Sequence, residues 1–298
     1  MRVLVTGAAG FVGRHLVPRL ERDGWDVIAA DRELDVADAP TLEARVAESA
    51  PDAVVHLAAQ SSVADSWRQA ALTYRVNYLG ARSLLEALRR RAPGARLLLV
   101  GSAGVYGSLP PGSPPFDETS PLRPVSPYAR TKAAADLLGA CYAARGLSVL
   151  RLRPFNHTGP GQSEGFALSS FARQLAEIEA GRREPELRVG NLDSVRDFLD
   201  VEDVVEAYVR LLEGGAAAGA YNVASGVGTR IGELLERLIA RSRARPRLRV
   251  EAERLRPVDQ IVGDAGRLRR ATGWEPRMPL DTTLERLLGF WRRELSAP

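Results

Sequence analysis

The 298-residue chain predicts an α/β fold: a doubly wound parallel sheet followed by a smaller carboxy-terminal α/β substrate domain. Three observations carry this. Apolar runs of strand length alternate with helical patterns from "RVLVTG" at residue 2 to "SVLRLRPFN" at residue 148. Those runs are continuous in Val, Leu, Ile and Ala, as strands buried on both faces require. A glycine-rich turn joins the first strand to the first helix, the connection such sheets use to approach a ligand.

Taken in order, "RVLVTG" reads as a strand, followed by a helix from about Phe11 and a second strand, "DVIAAD". A helix over "APTLEARVAESA" leads to the strand "AVVHLAA", and a single long helix is expected from Ala70 to Arg91. The strand "RLLLVGS", a helix over "YARTKAAADLLGACYAARG" and the strand "SVLRLRPFN" complete the alternation. After Asn156 the rhythm breaks into longer loops and isolated helices, "SSFARQLAEIEAG", "VEDVVEAYVRLLEGG" and "RIGELLERLIARSR", with a turn at "GGAAAGA". The expected division is a first domain over 1–155, rejoined by about 194–216, and a second over 156–193 and 217–298. The second should close over the carboxyl edge of the sheet, where ligands bind.

Composition excludes several classes. At 45% hydrophobic the chain can bury a full core, yet no window approaches the roughly 18 apolar residues of a membrane span. The start, "MRVLVTGAAGFVG", runs into a strand pattern without a cleavage signal, so a cytoplasmic location is expected. The one cysteine, Cys141, excludes an internal disulfide, and His15, His56 and His157 are scattered singly, so no metal site is expected. The net charge of +4 suits an anionic small substrate. The basic run "RSRARPRLRV" at 241–250 has no interleaved aromatics and reads as a solvated face, so no nucleic-acid partner is expected.

In "VLVTGAAGFVGRHLV", Gly7, Gly10 and Gly13 stand at the strand-to-helix turn with Phe11 and Val12 between the last two. Glycines let backbone approach a pyrophosphate, and the helix amino end offers unpaired N–H groups and partial positive charge. Asp31 ends the next strand, where a carboxylate can accept from a ribose 2′-hydroxyl. The pattern is that of a Rossmann-type dinucleotide site. Asp31 repels a 2′-phosphate and favours NAD over NADP, whereas the adjacent Arg32 can reverse that by pairing with the phosphate. Asp35 and Val36 are placed to flank the adenine; the competing reading is a turn carboxylate followed by a buried valine.

Lys132 is the chain's single lysine among 41 basic residues. It lies four residues after Tyr128 in "SPYARTKAAAD", so both side chains share one helix face. A neighbouring ammonium is expected to lower the phenol's pKa from near 10, and a compact ammonium can donate to a ribose where arginine's planar fork is not equivalent. Ser102, ending "RLLLVGS", adds a hydroxyl at the mouth of the sheet.

The combination "TGAAGFVG", "HLAAQ", "GSAGVYG", "YARTK" and "RPFNHTGPGQ" resembles the extended short-chain dehydrogenase/reductases, NAD(P)-dependent enzymes that modify nucleotide sugars. The resemblance runs end to end. It implies Ser102, Tyr128 and Lys132 as the catalytic triad, Leu57, Ala58, Ala59 and Asn77 along the cofactor, and Phe155 near the nicotinamide. "VGNLDSVRDF" resembles the segment that relatives acting on GDP-mannose derivatives use near the substrate diphosphate, and "RPFNHTGPGQ" followed by "FARQLAEIEAG" resembles the GDP-4-dehydro-6-deoxy-D-mannose reductases. That likeness implies a GDP-sugar substrate contacted by Ser102, Asn156, Arg196, Arg256 and Asp259. It also implies a homodimer through a four-helix bundle formed by the helix after Ala70 and the helix carrying Tyr128.

Dehydratases of the same fold carry an acidic residue two places before the tyrosine of the "VYG"-type segment. Here that residue is Gly104, so ketone reduction is expected instead. A nucleotide-sugar 4-epimerase or another nucleotide-sugar 4-reductase is the competing enzyme reading. A non-catalytic NAD(P)-sensing protein is the competing reading from another class.

Overall fold

The computed structural model of the chain describes residues 1–110, 112–251 and 258–296. Its strands are β1 (Arg2–Thr6), β2 (Asp26–Ala30), β3 (Ala53–His56), β4 (Arg96–Val100), β5 (Ser148–Pro154), β6 (Asn156–Thr158), β7 (Glu186–Val189), β8 (Val195–Asp200), β9 (Gly219–Val223), β10 (Gly228–Arg230), β11 (Arg247–Val250) and β12 (Gln260–Ile261). The α-helices are α1 (Gly13–Arg22), α2 (Ala39–Ser49), α3 (Val63–Arg68), α4 (Ala70–Tyr74), α5 (Gly80–Arg91), α6 (Pro127–Ala143), α7 (Ala167–Glu179), α8 (Val201–Glu213), α9 (Ile231–Arg241), α10 (Gly266–Thr272) and α11 (Leu280–Ser296).

Six strands form a parallel sheet in the order β2-β1-β3-β4-β5-β9. The side-chain period of two sorts each strand between two cores. Val3, Val5, Leu98 and Leu150 pack with Leu16 and Leu20 of α1 and Val204 and Tyr208 of α8. Leu4, Val54, Leu97 and Val149 pack on the other face with Leu42 of α2, Leu84 and Leu85 of α5 and Ala135 of α6. Both faces are apolar, which is why the strands read as unbroken apolar runs. The strand order reverses between β1 and β3, so the crevice for a ligand opens above Thr6 and His56.

A third core lies apart from the sheet, built from Leu168 and Phe171 of α7, Leu187 of β7, Leu234 and Leu238 of α9 and Leu287 of α11. Between it and the sheet, β8 pairs with β6, β10 and β12.

Two expectations from sequence need correction. The helix expected over 70–91 is broken by a π-helical turn, Arg75–Leu79, between α4 and α5. Wide turns of this kind recur at functional sites, and this one turns Asn77 inward, where it is buried. The second boundary also differs. β9 lies beyond 217, yet it is the sixth strand of the main sheet, and Leu268 of α10 with nearby Trp274 packs in the α1–α8 core. The physical reason is that β5 would otherwise present an open edge. Of the segment 194–216, α8 joins the sheet core as expected, whereas β8 does not pair with the main sheet.

Candidate active site

The crevice is built on close backbone approach. Gly7 has φ +72°, and a Cβ there would lie 2.7 Å from the Ala58 nitrogen, so the first turn packs directly on the Leu57–Ala58 segment. At Gly13 a Cβ would fall 2.3 Å from the Ala8 carbonyl oxygen. The Gly10 amide donates to the Gly7 carbonyl at 3.0 Å, closing the turn. α1 then begins after Val12 with no side chain capping it. Its amino end is left for a ligand, which is the cradle a dinucleotide pyrophosphate requires.

Asp31 follows β2 directly, its backbone amide held by the Glu33 carboxylate at 2.7 Å, and Arg32 beside it is exposed. Asp35 is ion-paired to Arg75. Val36 is buried in the α2–α5 core, where its Cγ2 lies 2.8 Å from the Cβ position of Gly80. Its side chain is therefore the buried valine of the competing reading.

The Tyr128–Lys132 helix has a local cause. Ser126 accepts from the Ala129 amide at 3.1 Å, and Pro127 at the first helical position has its φ preset. Gly139 lets α6 lie close on the sheet, since a Cβ there would be 2.9 Å from Leu99 Cδ2. These features put Tyr128 and Lys132 in the first two turns, above the end of β4. Ser102 follows β4 after Gly101, whose amide donates to the Leu152 carbonyl at 2.7 Å. The Ser102 hydroxyl accepts from the Gly104 amide at 3.1 Å and so caps the short 3₁₀ turn Ala103–Val105.

Burial sets the electrostatics. It pushes the Tyr128 phenol above its ordinary 10, opposed by the Ser102 hydroxyl that lies against it. Lys132 is only 6% exposed; burial lowers its ammonium to about 8, and its Nζ donates to the Val100 carbonyl at 2.8 Å. The expected lowering of the phenol by the ammonium is therefore corrected. The ammonium gives one of its three N–H groups to the strand end, and desolvation of the phenol prevails.

Asn77 is drawn into the site, but its amide is spent on protein. Its Oδ1 accepts from the Gln60 amide at 2.8 Å, and its Nδ2 donates to the Gln60 carbonyl and Thr131 Oγ1, each at 3.1 Å. It thus ties the loop after β3, with Leu57, Ala58 and Ala59, to α6. The Phe155 ring is buried against Tyr106, with centroids 6.3 Å apart, and Gly263, so only its backbone can face a nicotinamide.

Of the residues expected to meet a substrate, Asn156 is exposed at the start of β6, in register with Phe198, and Arg196 lies two residues before Phe198 on β8. Arg196 and Asp259 are brought together. The guanidinium donates to Asp259 Oδ1 at 2.6 Å, and Ser194 Oγ donates to the same oxygen at 2.8 Å. Asp259 thereby orients Arg196. Arg256 lies outside the described residues.

Sequence reasoning missed Thr6 and His56. Thr6 Oγ1 and His56 Nδ1 are 2.8 Å apart at the strand reversal, and burial followed by the charge of Lys132 lowers the imidazole to about 3. The available signal was that both residues end adjacent strands immediately before motif segments. Asp197 was also missed. Fully buried, it accepts from the amides of Ser225, Gly226 and Gly263, locking two loops to β8. No group of metal-ligating side chains occurs among the described residues. No described helix is long and apolar enough to cross a membrane.

Comparison with known proteins agrees with this geometry. Residues 3–224 match the NAD dependent epimerase/dehydratase family. The chain is 38% identical to GDP-6-deoxy-D-mannose reductase of Pseudomonas aeruginosa, covering 97% of each chain. It is 32% identical to UDP-glucose 4-epimerase of Mycolicibacterium smegmatis, covering 99% of each. Among solved structures, RMD from Pseudomonas aeruginosa complexed with NADPH superposes with a TM-score of 0.91 at 36% identity, covering 98% of this chain and 99% of that one. The Thermus thermophilus UDP-glucose 4-epimerase complex with NAD gives 0.86 at 31% identity, covering 98% and 99%. With its glycine turn, its Ser–Tyr–Lys constellation and this match over most of its length, the chain belongs to the NAD dependent epimerase/dehydratase family and is an NAD(P)-dependent enzyme of the extended short-chain dehydrogenase/reductase type.

Proposed function

We propose that the enzyme reduces the C4 ketone of GDP-4-dehydro-6-deoxy-D-mannose to GDP-6-deoxy-D-mannose (GDP-D-rhamnose), using NAD(P)H. The observation that carries this reading is Gly104 within an otherwise complete Ser–Tyr–Lys site. A Cβ at 104 would lie 3.3 Å from Ser102 Oγ, so the acidic residue that related dehydratases carry would stand in the reacting centre; glycine brings no proton carrier there. Likeness to a curated GDP-6-deoxy-D-mannose reductase over nearly the whole chain supports the same choice.

When bound, the nicotinamide supplies the hydride that reaches C4. Tyr128 gives its proton to the forming alkoxide, and burial keeps the phenol protonated at neutral pH, as a general acid must be. Ser102 steadies the carbonyl oxygen. Lys132 holds the nicotinamide ribose from the end of β4. Asn156, Arg196 and Arg256 hold the diphosphate, with Asp259 presenting the Arg196 fork. The same reading includes a cytoplasmic homodimer. Trp67 and Leu72 on α3 and α4 and Leu137 on α6 are exposed and apolar, as a four-helix interface requires.

The test offers GDP-4-dehydro-6-deoxy-D-mannose with NADH or NADPH and identifies the product by NMR. GDP-D-rhamnose with net oxidation of the cofactor is expected. Purification with tightly retained NAD and interconversion of C4 epimers without net oxidation would replace this reading with a 4-epimerase.

A further inference from the structure

Behind the site lies a buried polar network that the proposed chemistry does not use. Asp136, one turn beyond Lys132 on α6, is 2% exposed and accepts from Arg151 at 2.6 Å and from Arg153 at 2.8 and 3.0 Å. Arg153 is itself 4% exposed, and its Nη1 donates to the Tyr106 hydroxyl at 2.8 Å and the Glu118 carbonyl at 3.2 Å. The Tyr106 hydroxyl donates to Asn222 Oδ1 at 2.7 Å, and Asn222 Nδ2 donates to the Phe116 carbonyl at 2.8 Å and the Asp264 carbonyl at 3.1 Å. The Tyr106 ring is stacked on Phe116 with centroids 4.8 Å apart. Every hydrogen-bonding direction of the phenol is thus fixed.

Traced along the chain, these contacts close a ring around the reacting groups. Tyr106 ends the 3₁₀ turn that Ser102 caps, so anchoring Tyr106 anchors the turn that holds the Ser102 hydroxyl. Asp136 lies on the helix that carries Tyr128, so its clamp to β5 fixes that helix along the sheet. Arg153 joins the two anchors, and Lys132 on Val100 closes the ring from the front. We propose that Tyr106, Arg153 and Asp136 are positioning residues that set the Ser102 hydroxyl against the Tyr128 phenol. Buried charges left partly unpaired are costly, so the bonds that join Asp136, Arg153, Tyr106 and Asn222 resist rearrangement.

The proposal rests on Tyr128 being the proton donor, and its test includes a readout independent of turnover. Tyr106→Phe removes one oxygen and keeps the ring. Arg153→Lys keeps the charge beside Asp136 but cannot bond Asp136 and Tyr106 together as the fork does. Both variants should lose about tenfold or more in kcat, a fraction of the ~10²-fold that a 1 Å misplacement can cause, with KM for both substrates nearly unchanged. Because the Ser102 hydroxyl favours the ionised phenol, loosening it should move the Tyr128 phenol titration, followed by NMR of ring-labelled tyrosine, to higher pH. A lower melting temperature with unchanged kcat and an unchanged Tyr128 titration would reduce the network to fold stability and overturn the proposal. If the wild type fails to reduce the GDP-sugar, the substrate reading falls, and the Tyr128 titration still decides this one.

Discussion

Replacing Lys132 by arginine and by methionine separates charge from shape at the chain's single lysine. The ammonium is buried, with its Nζ 2.8 Å from the Val100 carbonyl oxygen. Arginine keeps the charge but is longer and ends in a planar fork. Overpacking a filled slot costs about 1–3 kcal/mol, and a shift of ~1 Å at the reacting groups costs on the order of 10²-fold, or about 2.7 kcal/mol of barrier. Lys132→Arg should therefore lose most of its turnover and some stability. Methionine should be equally inactive for the opposite reason, with shape kept and charge lost. Its stability tells the two apart. A fall from 10.5 to about 8 means that the folded state disfavours the charged form by about 3 kcal/mol net of its bond to Val100. Lys132→Met should thus be more stable than the wild type at pH 7, by an amount on the order of that cost. The folded pKa is the depressed one, so this cost is complete below about 8 and disappears as pH rises from there to 10.5, narrowing the gap. The measurements are kcat, cofactor affinity and denaturant unfolding of all three proteins between pH 7 and 10. An arginine variant near wild-type activity beside an inactive methionine variant would show that position 132 needs only a positive charge. A methionine variant less stable than the wild type at pH 7 would show that the ammonium is not held at a cost.

Tyr128→Phe should keep cofactor binding and lose on the order of 10²–10⁴-fold in kcat, the usual contribution of a general acid; near wild-type turnover would remove the phenol from the chemistry. On the proposed reading Arg196→Ala should mainly raise KM for the GDP-sugar, because a fork presented by Asp259 to the diphosphate would bind ground state and transition state alike, and an unchanged KM would return it to a structural role. Light scattering at micromolar concentration should give the mass of two chains, and a monomer would leave Trp67, Leu72 and Leu137 unexplained.

Local signals wrote much of this protein legibly. The glycine turn and the Ser126–Pro127 helix start each depend on a few adjacent residues, because left-handed backbone, caps and proline φ are short-range properties. The parallel sheet was legible for a related reason: strands buried on both faces can contain almost nothing but apolar side chains. The helix expected over 70–91 was misread where helix propensity is silent about a π turn, whose extra residue places Asn77 against Gln60 and Thr131. β9 was assigned to the wrong part because its five residues carry no strong pattern, and the need to cover the edge of β5 is a property of the assembled sheet. The residue types of the Ser102, Tyr128 and Lys132 cluster were readable, whereas their protonation was not. A four-residue spacing on a helix suggested that Lys132 would lower the Tyr128 phenol. Only the packed site shows that both groups are desolvated and that the ammonium is turned to Val100, because burial is the sum of neighbours brought from β4, α6 and the loops above the sheet.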